Sequence, residues 1–102
     1  MPNYNLTPDA KTDLIDIRRY TVKQWGLLQS QKYLSELRKT ILVLAENPLI
    51  GIPRQDIAAD VFSFPYVSHV IYYVYQNEQL IVFGILHKGK VPANHLGDRE
   101  TS

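Results

Sequence analysis

"SHVIYYVYQNEQLIVFGILH", residues 68–87, places two apolar runs on either side of Asn77 and Glu78. Branched and aromatic residues favour strands, and a short polar break between two such runs reads as a β-hairpin. Alternation assigns the faces. Val70, Tyr72 and Val74 point one way and His69, Ile71, Tyr73 and Tyr75 the other, while Leu80, Val82, Gly84 and Leu86 oppose Ile81, Phe83, Ile85 and His87. Both faces are substantially apolar, so both need cover. One packs on helices; the other requires a tail, a loop or a partner.

The helices lie upstream. Thr7 is placed to cap, Pro8 suits the first helical position, and Asp9 meets the positive end of the helix dipole. Ala10, Leu14, Ile17, Thr21 and Trp25 then recur at steps of three or four, the spacing of one helical face. Gly26 supplies the positive φ that ends a helix. A second helix is expected from about Leu28 to Asn47, with Leu34, Leu37, Ile41 and Leu44 as its stripe, and Pro48 forces the chain out. The short connection makes the pair an antiparallel hairpin, with Trp25 closing it. "NYNL" at 3–6 reads as a short strand, residues 48–60 as a loop, and "VFSF" as a further strand. The expected order is β-α-α-β-β-β, an α+β fold of a helix hairpin on a small antiparallel sheet.

With 102 residues, 45% of them apolar and 21% charged, the chain suits one soluble domain with a real core. That domain is assigned to residues 1–97, with a disordered tail at 98–102. There is no cysteine, hence no disulfide and no thiolate chemistry. The N-terminus lacks a signal-peptide pattern and no apolar run approaches a membrane span, so a cytoplasmic protein without membrane contact is expected. Charge is divided unevenly. Residues 1–47 carry seven Lys/Arg against five Asp/Glu and residues 48–102 four against five, with no Lys or Arg between Val61 and Leu86. Phosphate binding needs clustered cations, so no direct sequence-specific nucleic-acid binding is expected.

Three stretches carry a resemblance. They are "LTPDAKTDLIDIRRYTVKQWG", "YLSELRKTILVLAENPLIG" and "SHVIYYVYQNEQLIVFGILH". In order, and together spanning Leu6 to His87, they resemble the ParE branch of the RelE/ParE toxin superfamily. The resemblance implies a RelE/ParE-like fold and a bacterial toxin of a type II toxin–antitoxin pair. ParE toxins are described as inhibitors of DNA gyrase that stabilise its cleaved DNA complex and block replication. RelE relatives instead cleave messenger RNA on the ribosome.

The residues bear on both chemistries. RNA cleavage needs a base, an acid and cations around the phosphate. The ribonuclease alternative would use His87 with Lys88, Lys90 and Arg54, a thin supply of cations. His87 otherwise reads as a strand-end histidine bonded to nearby backbone. The tyrosines at 72, 73 and 75 read as core or interface residues rather than a base-stacking platform. His69, His87 and His95 match no zinc spacing, so neither metal nor cofactor is expected. "HKGK" departs from the family's frequent H-x-x-M-D, with Lys90 and Val91 where Met and Asp would stand.

The preferred reading is a gyrase inhibitor that acts by binding, without catalytic residues, touching gyrase through Arg54, His87, Lys88 and Lys90. A cognate antitoxin would bind along the helix faces around Leu14, Ile17, Leu37 and Ile41. A toxin-fold protein that only binds antitoxin is a further alternative.

Overall fold

The chain, described here over residues 4–101 of a computed structural model, runs β1 (Tyr4–Leu6), α1 (Pro8–Trp25), α2 (Leu27–Glu46), β2 (Ile52–Pro53), β3 (Phe62–Tyr66), β4 (His69–Gln76) and β5 (Gln79–His87). Single 3-10 turns occupy Pro48–Ile50 and Pro92–Asn94. The helix signals act as read. The Thr7 hydroxyl accepts the Ala10 N–H at 3.2 Å, and Gly26, at φ 89°, separates the two helices. The hairpin tip is tied inside by hydroxyls. Thr21 donates to the Ile17 carbonyl at 2.8 Å and lies 2.6 Å from the Ser30 hydroxyl.

The five strands form one sheet in the order β1-β5-β4-β3-β2. Two details go beyond the expected small antiparallel sheet. β1 pairs with β5 in parallel, Tyr4 to Leu6 against Leu80 to Val82, because the helix hairpin returns the chain to the far side of the sheet before β2 begins. Within the stretch read as loop, Ile52 and Pro53 pair with Ser63 and Phe62 as a short edge strand.

Strict alternation fails on β5. The register passes from Tyr72↔Gly84 to Tyr73↔Val82, which leaves Phe83 as an extra residue in a β-bulge. A bulge shifts the parity of every residue beyond it. Leu80 and Val82 therefore share the helix-side core with Ile71, Tyr73 and Ile85, whereas Ile81, Phe83 and Leu86 join Tyr72 and Val74 on the other face. The correction concerns Gly84, Ile85, Leu86 and His87, which exchange faces relative to Leu80 and Ile81.

The helix-side core joins that set to Ala10, Ile17, Leu34, Leu37, Ile41 and Leu44. The opposite face needs no partner to cover it. Val61 and Ile57 from the loop before β3, and Leu96 from the C-terminal segment, close over Tyr72, Val74, Phe83 and Leu86. Arg99 lies within the segment expected as a free tail, yet its guanidinium grips both carboxylate oxygens of Asp13, at 2.5 and 3.0 Å, and donates to the Phe83 carbonyl at 3.2 Å. Burial and the Asp13 carboxylate act oppositely on that guanidinium, and the hydrogen bond to Asp13 dominates, holding its pKa above the ordinary arginine value.

Candidate functional site

The β4–β5 register sets His69 directly opposite His87. Their rings meet edge to face with centroids 5.6 Å apart, and the circuit continues through neighbouring elements. His87 meets Tyr20 of α1, Tyr20 meets Trp25, Trp25 meets Tyr33 of α2, and Tyr33 returns to His69, each at a centroid distance between 5.5 and 6.4 Å. Five rings thus join both helices to the ends of both long strands. Edge-to-face contacts suit the positive rim and negative face of such rings.

His69 is the buried member. Its Nδ1 lies 2.7 Å from the Tyr33 hydroxyl, and that hydroxyl accepts the Ser68 N–H at 3.2 Å. The direction of the Tyr33–Nδ1 bond follows the histidine tautomer, and the Tyr66 carbonyl, 3.5 Å from the same hydroxyl, is a second acceptor for the tyrosine proton. Burial first, then the neighbouring His87 and Lys90, lowers the His69 pKa to about 4. Burial also raises the pKa of Tyr33, and it pushes Tyr66, whose hydroxyl donates to the Tyr33 carbonyl at 2.7 Å, up to about 12. A histidine so depressed is a weak base, and its Nδ1 is already engaged by Tyr33.

Beside the rings lies a cleft of about 520 Å³ between α1 and the end of β5, bounded by Asp16, Ile17, Tyr20, Leu86, His87 and Lys90. His87 Nδ1 accepts the Gly89 N–H at 3.1 Å. Lys88 and Lys90 stand exposed past the strand, where the Lys88 N–H bonds the Ser68 carbonyl and the Lys90 N–H the His87 carbonyl.

Arg54 is elsewhere. Its guanidinium forks onto Asp56 at 2.9 and 3.0 Å, reaches Ser63 at 3.4 Å and lies 5.7 Å from the centre of the Tyr72 ring. Ser63 and Tyr72 are cross-strand partners on the face turned away from the helices. The sheet therefore separates Arg54 from His87, and the grouping of Arg54 with His87, Lys88 and Lys90 divides into two sites.

The helix positions expected to meet an antitoxin lie mostly inside the fold. Leu37 and Ile41 are wholly buried in the helix–sheet core, Ile17 nearly so, and Leu14 is half-buried against it. These positions serve the chain's own packing, since the stripe that makes a helix amphipathic is the one that folding consumes. Gly51 is tightly constrained, but by crowding: a side chain there would collide with the Tyr73 hydroxyl, which donates to the Pro48 carbonyl at 2.7 Å. Tyr72 and Tyr73 are core residues, and among the described residues no group of three His, Asp or Glu side chains is placed to hold a metal. No described helix is long and apolar enough to cross a membrane. Sequence reasoning missed Asp13 and Arg99 as a pair and Tyr20 and Tyr33 as parts of the ring circuit. Only the place of Tyr20 within the stretch "LTPDAKTDLIDIRRYTVKQWG" that carries the family resemblance marked it.

Comparison with known proteins agrees with this architecture. The family model described as "ParE toxin of type II toxin-antitoxin system, parDE" matches residues 4–92. The chain is 34% identical to Toxin ParE1 of Caulobacter vibrioides over 97 residues, 95% of this chain and the whole of that protein. It is likewise 34% identical to Toxin ParE1 of Mycobacterium tuberculosis over 86 residues, 83% of this chain and 88% of that one. A shorter match, 42% over 45 residues and 44% of each chain, links it to Toxin ParE of Escherichia coli. A match from β1 through the histidine-bearing end of β5 and beyond spans every element that builds the ring circuit, and the chain accordingly belongs to the ParE toxin family of type II toxin–antitoxin systems.

Proposed function

We propose that this toxin acts in the cytoplasm by binding DNA gyrase and stabilising its cleaved DNA complex, and that a cognate antitoxin neutralises it by direct contact. The observation that carries the binding mode is the division of polar groups by the sheet. Phosphoryl transfer to an RNA 2′-hydroxyl requires an acid, a base and cations converging on one phosphate. Here Arg54 is held on one face by Asp56 while His87 and Lys90 line the cleft on the helix side and Lys88 stands exposed past the strand. His69, the histidine best sheltered from solvent, is neutral and bonded to Tyr33. Such an arrangement presents surface rather than a reacting centre. Lys88 and Lys90 on one side and Arg54 on the other are the exposed or partly exposed cations offered to gyrase.

Induced expression in bacteria separates the readings. Filamentation with DNA-damage signalling is the expected result. Prompt arrest of translation with cleaved messenger RNA would replace the proposal with ribosome-dependent cleavage, and unimpaired growth would leave a protein whose role is confined to its antitoxin.

A further inference from the structure

β1 covers only part of β5. Its residues pair with Leu80, Ile81 and Val82, and the pairing ends where the Thr7 N–H reaches the Val82 carbonyl. β5 continues to His87, and among the described residues no strand flanks Phe83 to His87 on that side. Side chains take over first. The Asp13 carboxylate accepts the Ile85 N–H at 2.9 Å and Arg99 donates to the Phe83 carbonyl, so this ion pair occupies the main-chain groups that a neighbouring strand would use.

The groups beyond the pair follow from the register. Lys88 turns its N–H toward β4, onto the Ser68 carbonyl. Alternation then directs the Ile85 carbonyl and the His87 N–H outward, to the edge away from β4. That edge opens on the cleft between α1 and β5, walled by Ile17 and Tyr20. An acceptor at one residue and a donor two residues on is the pattern that holds one residue of a parallel strand, the same sense in which β1 uses this edge upstream.

We infer that this stretch of β5 receives an extended segment of the antitoxin, running parallel to β5 along the line of β1 and placing an acidic side chain beside Lys90. The inference rests on the antitoxin reading proposed above. Charge favours this occupant. Asp13 is matched by Arg99, and Asp16 on the opposite wall has Arg19 at 3.9 Å. No ion pair reaches Lys88 or Lys90 among the described residues, so the uncompensated charge at the far end of the cleft is positive. Main-chain pairing at the edge supplies affinity and the side chain beside Lys90 supplies selectivity.

Amide exchange of the isotope-labelled toxin, read by NMR alone and with its purified antitoxin, tests this. The His87 amide is expected to exchange readily in the free protein and to slow about tenfold or more in the complex, whereas the Leu86 amide, turned toward β4, is protected in both. Lys90→Glu, which leaves the main chain untouched, should weaken antitoxin binding about tenfold by setting like charges together. A tight complex in which His87 exchange is unchanged would overturn the inference and leave the antitoxin reading standing. Absence of any complex at high concentration would remove both. Protection of His87 that appears in the toxin alone as its concentration rises would assign the edge to a second copy of the chain instead.

Discussion

The two faces of the sheet bury similar apolar side chains by different means. On one, α1 and α2 lay continuous stripes across Ile71, Tyr73, Val82 and Ile85. On the other, Tyr72, Val74, Phe83 and Leu86 lie under Val61 and Ile57 from a loop and Leu96 from the C-terminal segment, pieces with no periodic pattern of their own. What secures that second cover is polar. Arg99 reaches the edge of β5 to grip Asp13 of α1, so the weaker cover is tied to the stronger. The comparison separates stability that comes from periodic burial from stability that hangs on one ion pair.

A matched pair of truncations measures the difference. Leu37→Ala, in the helix-side core, should cost about 3–4 kcal/mol in urea unfolding. Arg99→Ala should come next, at about 3 kcal/mol, because it leaves the Asp13 carboxylate buried beside a single N–H. Arg99→Lys should recover only part of that loss, since lysine restores the charge without the two-pronged geometry. If Arg99→Ala were neutral, the second face would be held by contacts other than this pair.

His69 gives the helix side a pH dependence. Its ring stays neutral in the folded protein down to about pH 4, while the unfolded chain takes up the proton near 6.5. The unfolded state therefore binds more protons between those values. Stability from this group is complete above about 6.5 and declines as pH falls toward 4, by on the order of 2–3 kcal/mol. The difference in unfolding free energy between wild type and His69→Asn, followed from pH 7 to 4, should show that decline; parallel curves would mean that His69 ionises freely in the fold. The smallest effect should be Leu96→Ala, at about 2 kcal/mol, because the surrounding C-terminal segment can settle into the space more readily than two packed helices. A loss equal to that of Leu37→Ala would erase the distinction between the faces.

The same contrast explains what was legible in the sequence. Thr7, Pro8, Gly26 and Pro48 bound the helices through local chemistry, and the apolar steps from Ala10 to Leu44 identify their buried face. Asn77 and Glu78, both at positive φ, turn the hairpin where the polar break stands. Three features rest on distant partners and leave no local trace. The bulge at Phe83 depends on how β5 lies against β4. The parallel pairing of β1 depends on the whole excursion through the helices. Arg99 sits among polar residues that look solvated, and only the fold brings Asp13 to it. For the candidate site, alternation alone misplaces His87 relative to Leu80, and both the bulge and the register that make His69 and His87 neighbours were outside its reach. Residue type alone likewise grouped Arg54 with Lys88 and Lys90, and the sheet parts them.

Purified gyrase offers the most direct measurement. Supercoiling of relaxed plasmid, with ATP, should be lost as this protein is added, with cleaved DNA accumulating after denaturation of the complex, and the Arg54→Ala/His87→Ala double variant should not lose trapped cleavage in the all-or-none manner of a removed catalytic group. Undiminished supercoiling at a large excess of folded protein would contradict the account.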